Sequence, residues 1–253
     1  MLKAENICFS YKNREVLRGV SAEFAAGKLT VILGANGSGK STLVKILGGY
    51  EKPASGAVSL GGIGLGKFSV RELAAKRAVL EQETPADFDY SVLETVCLGR
   101  FAMSGFWGVD EKTKSIARAA LAEVGLEGFE KRSCAELSGG ERRRVHLARA
   151  AAQIMDAPEG KVLLLDEPAA NLDPLHALLG CRLCKRLCEC GAACVVVAHS
   201  AHIAADFADS VLMLKDGRVF ADGKTADVLT AENLASLYGV KCEICGGMPR
   251  YSL

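Results

Sequence analysis

The stretch Leu29-Thr-Val-Ile-Leu-Gly-Ala-Asn-Gly-Ser-Gly-Lys-Ser-Thr42 decides the fold. Its first five residues form a continuous apolar run, rich in β-branched side chains, that stops at a glycine. Such a run suits a strand buried on both faces of a parallel sheet. From Gly34 to Ser41 the chain spells the eight-position phosphate-loop pattern, and from about Lys40 the apolar spacing of Leu43, Ile46 and Leu47 predicts a helix. Strand, loop and helix in this order curl the backbone of Gly34, Ala35, Asn36, Gly37, Ser38 and Gly39 into an anion nest at the positive end of the helix. Lys40 supplies a full charge to the β and γ phosphates, and the Ser41 hydroxyl, just before Thr42, is placed to ligate Mg²⁺.

Two further runs of the same buried type occur, Val162 to Asp166 and Cys194 to Ala198, each followed by polar residues and a new helical pattern. The alternation predicts an open, mostly parallel α/β sheet with its ligand at the carboxyl ends of the strands. The first of these runs ends in Asp166-Glu167-Pro168, which puts two acids where a neighbouring strand of the sheet would meet the phosphates. Asp166 would then hold Mg²⁺, usually through water, and Glu167 would act as general base on the attacking water. A third motif, Leu137-Ser-Gly-Gly-Glu141, opens the basic helical stretch Arg142 to Arg149. Ser138 caps that helix, and with the Gly139 and Gly140 amides it makes a second anion-binding helix end. One nucleotide has no use for two distant cradles in one chain, so the expectation is a head-to-tail dimer.

Residues 1 to 33 alternate apolar and polar around a turn at Lys12-Asn13-Arg14, which predicts a small antiparallel β subdomain. Residues 91 to 153 carry helical spacing through Val92, Val96, Ile116, Leu121, Val145 and Leu147. The expected organisation is one domain over 1–240, with a helical subdomain at about 86–155 inserted in the α/β core, and a short tail over 241–253. The 31 Lys and Arg balance the 30 Asp and Glu, so charge argues for no nucleic-acid partner. No apolar run reaches the roughly 18 residues that span a bilayer, and the opening MLKAENICFSYKNREV lacks the apolar stretch of a signal peptide. The expected location is cytoplasmic. The ten cysteines then read as small reduced hydrophobes, and Cys242 with Cys245 has the spacing of half a zinc site without a second half nearby.

In order and spacing, the phosphate loop, Leu137 to Glu141 and Asp166-Glu167 resemble the nucleotide-binding subunits of ABC transporters, and the resemblance covers nearly the whole chain. It implies ATP as substrate and Mg²⁺ as cofactor in a P-loop NTPase of the ABC type. Tyr11 resembles the aromatic on which adenine stacks, and Gln82 the glutamine that senses Mg²⁺ and the attacking water. Asn171-Leu172-Asp173 resembles the loop that contacts the other subunit, and His199 the histidine that bonds the γ-phosphate. The chain departs from the family pattern at Glu81, Arg143, Ala169-Ala170 and Ser200, positions that bear on fine positioning and on the partner. The resemblance also implies a homodimer, peripheral on the inner face of the membrane, docked on integral permease subunits close to Gln82 and residues 85–90, with a periplasmic or surface binding protein acting indirectly. Within the family it is strongest to importer ATPases for iron–siderophore, haem and cobalamin. The stretches that carry it are Val70 to Ala74, Cys97 to Phe101, Ala201 to Ala208, Asp216 to Val219 and Leu237 to Val240, with Met155 to Lys161 similar to the haem branch. Another small-solute importer, or a soluble ABC ATPase such as one in iron–sulfur assembly, stays open as an alternative.

Overall fold

In a computed structural model, residues 1–82, 90–103, 109–170 and 172–252 are described. The period-two alternation at the start folds as β1 (Leu2–Tyr11) and β2 (Arg14–Phe24), paired antiparallel across a turn in which Lys12 adopts φ 53°. The deciding apolar run is β3 (Leu29–Leu33), and it leads into α1 (Lys40–Leu47). Next come β4 (Ser55–Leu60), β5 (Ile63–Gly64), α2 (Val70–Lys76) and β6 (Arg77–Leu80). Helices α3 (Val92–Leu98), α4 (Glu111–Glu123) and α5 (Gly139–Ala152) lie between β6 and β7 (Val162–Asp166). The rest of the chain forms α6 (Pro174–Glu189), β8 (Ala193–Val197), α7 (Ala201–Phe207), β9 (Ser210–Lys215) and β10 (Arg218–Lys224), then α8 (Thr225–Val228), α9 (Ala231–Tyr238), β11 (Lys241–Cys245) and β12 (Met248–Ser252).

Helix starts follow local chemistry. Ser69, Ser91 and Ser138 each precede a glutamate by three residues, and each pair forms a reciprocal capping box that satisfies two otherwise orphaned amides at the starts of α2, α3 and α5. Asp173 caps α6 through its carboxylate, with Pro174 next in the first turn.

Among the described residues the main sheet has the order β10-β9-β3-β8-β7-β6, parallel except for the antiparallel edge strand β10. A second, antiparallel sheet has the order β2-β1-β4-β5. The buried runs are sorted by strand periodicity. Val31, Leu163, Leu165, Cys194 and Val196 join one core with residues of α3 to α6 and α9, while Ile32, Val162, Leu164, Val195 and Val197 join another with α1, β1 and β2. No helix among the described residues is long and apolar enough to cross a membrane.

One expectation changes. The acids at the end of β7 do not sit on a hydrogen-bonded neighbour of the phosphate-loop strand, because β8 is inserted between β3 and β7. Of the short tail, residues 241–252 are described. They form the β11–β12 hairpin, with Cys242 packed against the core and Tyr251 edge-on to Tyr238 at 5.9 Å. Cys242 and Cys245 are three residues apart on one strand, which points them to opposite faces and removes the half zinc site as a joint ligand pair.

A buried ion pair ties the end of α3 to the segment after α5. Arg100, 3% exposed, donates to both carboxylate oxygens of Asp156 (3.0 and 2.8 Å) and to the Ala152 carbonyl (2.8 Å). The Arg100 hydrogen bonds hold the Asp156 carboxyl at a pKa of about 2, below its ordinary 3.8. A lowered folded-state pKa means that this stabilisation is complete above the unfolded value and is lost as pH falls through about 2. Asp156→Asn is therefore expected to lower the unfolding free energy by about 2 kcal/mol at neutral pH, measured by urea denaturation. The deficit should narrow as both proteins are titrated below pH 4.

Candidate active site

A cleft of about 1020 Å³ opens at the carboxyl ends of β3, β8 and β7, walled by Tyr11, Asn36, Gly37, Gly39, Lys40, Ser41, Thr42, Gln82, Glu167 and His199. Its floor is the loop between β3 and α1. Gly37 and Gly39 adopt φ 78° and 102°, a left-handed backbone that turns successive amides the same way. Gly34 has no room for a side chain, because a Cβ there would overlap the Leu214 carbonyl oxygen and Ser38 Oγ. Lys40 is 5% exposed and folds back over the loop, its Nζ donating to the carbonyls of Gly34 (2.8 Å) and Ala35 (3.0 Å). Burial pushes its pKa down, and the nearby carboxylates of Glu167 and Asp166 oppose that shift. Ser38 Oγ is buried without a hydrogen-bond partner among the described residues, a donor available to an anion in the loop.

Across the cleft, β7 ends with Asp166 inside and Glu167 at the rim. Asp166 is 2% exposed, and burial raises its pKa while the Ser41 hydroxyl beside it pulls the other way. Its Oδ1 has no hydrogen-bond partner among the described residues. A desolvated carboxylate oxygen left unsatisfied next to a serine hydroxyl is a donor set that a hard divalent cation would complete, so these residues fit Mg²⁺. Glu167 takes φ 52°, unusual for a residue with a side chain, and its carboxylate is held from two sides. His199 Nε2 lies 2.6 Å from Oε1, and Gln82 Nε2 donates to Oε2 at 3.3 Å. An anion cradle facing a carboxylate steadied by an imidazole and an amide can seat a row of phosphates and present water to the last of them.

Tyr11 stands at the mouth, 43% exposed and edge-on to Phe9, leaving a face open for a planar base. Leu137 to Glu141 are not part of this wall. Ser138 and Glu141 bond each other's backbone at the start of α5, with Gly139 and Gly140 in its first turn, away from the chain's own phosphate loop. Asn171 lies outside the described residues. Leu172 is partly exposed, and Asp173 caps α6, its Oδ1 accepting from the His176 amide at 3.0 Å and its Oδ2 2.7 Å from His176 Nδ1. Sequence reasoning missed Arg14, Arg18 and the Asp216-Gly217 turn, which also line the mouth. No local spacing signals the two arginines, because the β1–β2 register shifts between Glu15 and Leu17; the turn is brought there by packing, through an Arg18 amide that donates to the Gly217 carbonyl at 2.8 Å.

The model of the ABC transporter family matches residues 17–170. The chain is 40% identical over 247 residues to the hemin import ATP-binding protein HmuV of Rhizobium meliloti (strain 1021), covering 96% of this chain and 93% of that one. It is 42% identical over 238 residues to the HmuV of Deinococcus radiodurans, covering 94% and 90%. Among solved structures it is similar to a dimeric bacterial ABC transporter cassette, with a TM-score of 0.80, 30% identity and 89% and 99% of the two chains covered. The same cassette type in a dimeric post-hydrolysis state bound to ADP and Pi gives 0.78 at 29% identity, covering 89% and 99%.

Gly34→Ala should bring the new methyl group against the Leu214 backbone, and overpacking of this kind costs ~1–3 kcal/mol. Carried into the loop, that strain corresponds to roughly a tenfold loss of nucleotide affinity, measurable by titration with a fluorescent ATP analogue. Unchanged affinity would show that the loop tolerates a side chain at its first position.

Proposed function

The chain belongs to the ABC transporter family, and on that premise we propose that it is the ATP-hydrolysing subunit of a haem importer, working as a pair of identical chains on an integral membrane permease. The observation that carries the catalytic reading is Glu167, fixed between His199 and Gln82 opposite the Lys40 loop. In this reading Tyr11 stacks adenine, the amides from Gly34 to Gly39 with Lys40 and Thr42 hold the phosphates, and Glu167 takes a proton from the attacking water. His199 keeps the Glu167 carboxylate aimed and reaches the terminal phosphate. Ser41, Asp166 and Gln82 would hold Mg²⁺, which when bound neutralises charge on the β and γ oxygens.

The signature Leu137 to Glu141 lies outside the chain's own cleft, and this supports closure of two copies head to tail, each signature on the ATP of the other. Leu172 and Asp173, with Asn171, would lie along that seam. Closing and opening of such a pair is a rigid-body motion that a permease can use. Its docking site is read as the groove of about 710 Å³ between α2 and the end of α3, where Val70, Leu98, Phe101 and Tyr50 are exposed. Residues 85–89, which the resemblance also assigns to this contact, lie outside the described residues. Haem as cargo is supported by the identity of about 40% to proteins named for hemin import, with a periplasmic or surface binding protein delivering it on the far side and the chain peripheral on the inner face.

Glu167→Gln is expected to bind ATP like the wild type and to hydrolyse it ~10²–10⁴-fold more slowly. Tagged, supplied with ATP and extracted from the membranes of its native cell, it should retain a polytopic membrane protein whose loss abolishes growth on hemin as iron source. Wild-type turnover by the variant would remove Glu167 as the base. Growth on hemin undiminished by loss of the retained protein would remove the cargo assignment alone.

A further inference from the structure

Arg143 stands where the family commonly has glutamine, and its side chain runs from α5 into the floor of the hydrolytic site. It is 8% exposed. Nη1 donates to the carbonyls of Glu81 (2.7 Å) and Gln82 (2.9 Å), and Nη2 donates to those of Asp166 and Glu167 (3.0 Å to the latter). The four acceptors lie at or just past the carboxyl ends of two adjacent strands. β6 and β7 pair in parallel register from Arg77↔Val162 to Leu80↔Leu165, and their ladder stops there. Past that point one planar guanidinium bridges the two edges, two carbonyls on each, and the Glu167 carbonyl also accepts from the Ala170 amide at 3.0 Å.

This clamp acts on the two residues that matter for water. Gln82 and Glu167 face each other across the gap, joined by the 3.3 Å side-chain bond. Glu167 is also in the left-handed region at φ 52°, a strained conformation that persists only where surrounding bonds over-determine it. The Arg143 bonds to the Asp166 and Glu167 carbonyls are among those bonds, with the Ala170 amide on the Glu167 carbonyl at 3.0 Å and the Glu167 amide donating to the Val197 carbonyl at 3.2 Å. Arg143 is also two turns or less from Ser138, on the helix that Ser138 caps, so a shift of the signature is carried by one side chain to both strand ends. Lysine offers a point charge without the fork and glutamine a single donor nitrogen, so neither can span both edges with the same geometry.

We propose that Arg143 is a positioning residue for hydrolysis, setting the spacing of Gln82 and Glu167 and locking the signature helix to them. The proposal rests on the reading of Glu167 as general base. It requires that loss of the fork slow turnover while leaving ATP binding intact, because the Lys40 loop is not touched.

The test is steady-state ATP hydrolysis by the purified full chain with Mg²⁺, comparing wild type, Arg143→Met, Arg143→Lys and Glu167→Gln, with ATP affinity from a fluorescent analogue and thermal midpoints recorded in parallel. Arg143→Met should lower kcat by roughly 10- to 100-fold with KM and affinity within about twofold of wild type. Arg143→Lys, which keeps the charge and loses the fork, should show the same split and carries the test if the methionine variant does not fold. Wild-type kcat in either folded variant, or kcat and affinity falling in the same proportion with the thermal midpoint, overturns the proposal. Glu167→Gln separates the two readings: an inactive Glu167→Gln beside an active Arg143→Met sinks the clamp alone, while an active Glu167→Gln sinks the base on which it rests.

Discussion

Strands β3, β8 and β7 are buried on both faces, so they can present polar chemistry only where they end. Five consecutive buried positions in each leave no side chain free for a ligand along the strand. Function is forced to the carboxyl ends, and sheet order then decides what meets what. The phosphate loop follows β3, His199 follows β8 and Asp166-Glu167 closes β7. The histidine is interposed between the cradle and the acids because its strand is interposed. That order explains why Glu167 is held at 2.6 Å by a residue 32 positions away in sequence, and why Gln82, after the edge strand β6, reaches it from the other side.

The same constraint makes one buried carboxylate costly and useful. Asp166 is desolvated enough to raise its pKa, and one of its oxygens goes unsatisfied among the described residues. Burial of an unpartnered charge is tolerated in a folded protein where a ligand completes it. The Lys40 ammonium, bonded to its own loop carbonyls, is the matching cation across the cleft. The site is therefore preorganised for a polyanion together with a cation, and Ser138 lies outside its wall.

Much of this was legible in the sequence because it rests on periodicity and on short motifs. The three apolar runs became β3, β7 and β8 within a residue of their expected limits, and the S-x-x-E pairs at 138 and 141 closed as a capping box. Strands β4 and β6 went unread: β4 begins Ser-Gly, and β6 is four residues directly after a helix, too short for alternation to register. The interposition of β8 was invisible because strand order is set by crossover geometry rather than by composition. The clamp at Arg143 was visible only as a departure from a family pattern. Its four carbonyl partners come from positions 62 to 23 residues away, which no local spacing can bring together. The ordered hairpin after 240 was missed because Gly246-Gly247 and the polar neighbours read as a tail until Tyr251 is seen against Tyr238.

The central claim is that one complete site needs the phosphate loop of one copy and the signature of another. Complementation by mixing tests it most directly: Lys40→Ala and Ser138→Arg chains are purified separately, shown to be folded, and assayed for ATP hydrolysis alone and together. In a head-to-tail pair of the two, one site carries both lesions and the other carries neither, so the account predicts that each variant alone is inactive and that the mixture hydrolyses ATP. A mixture as inactive as its components, or a Ser138→Arg chain as active as wild type by itself, would contradict it.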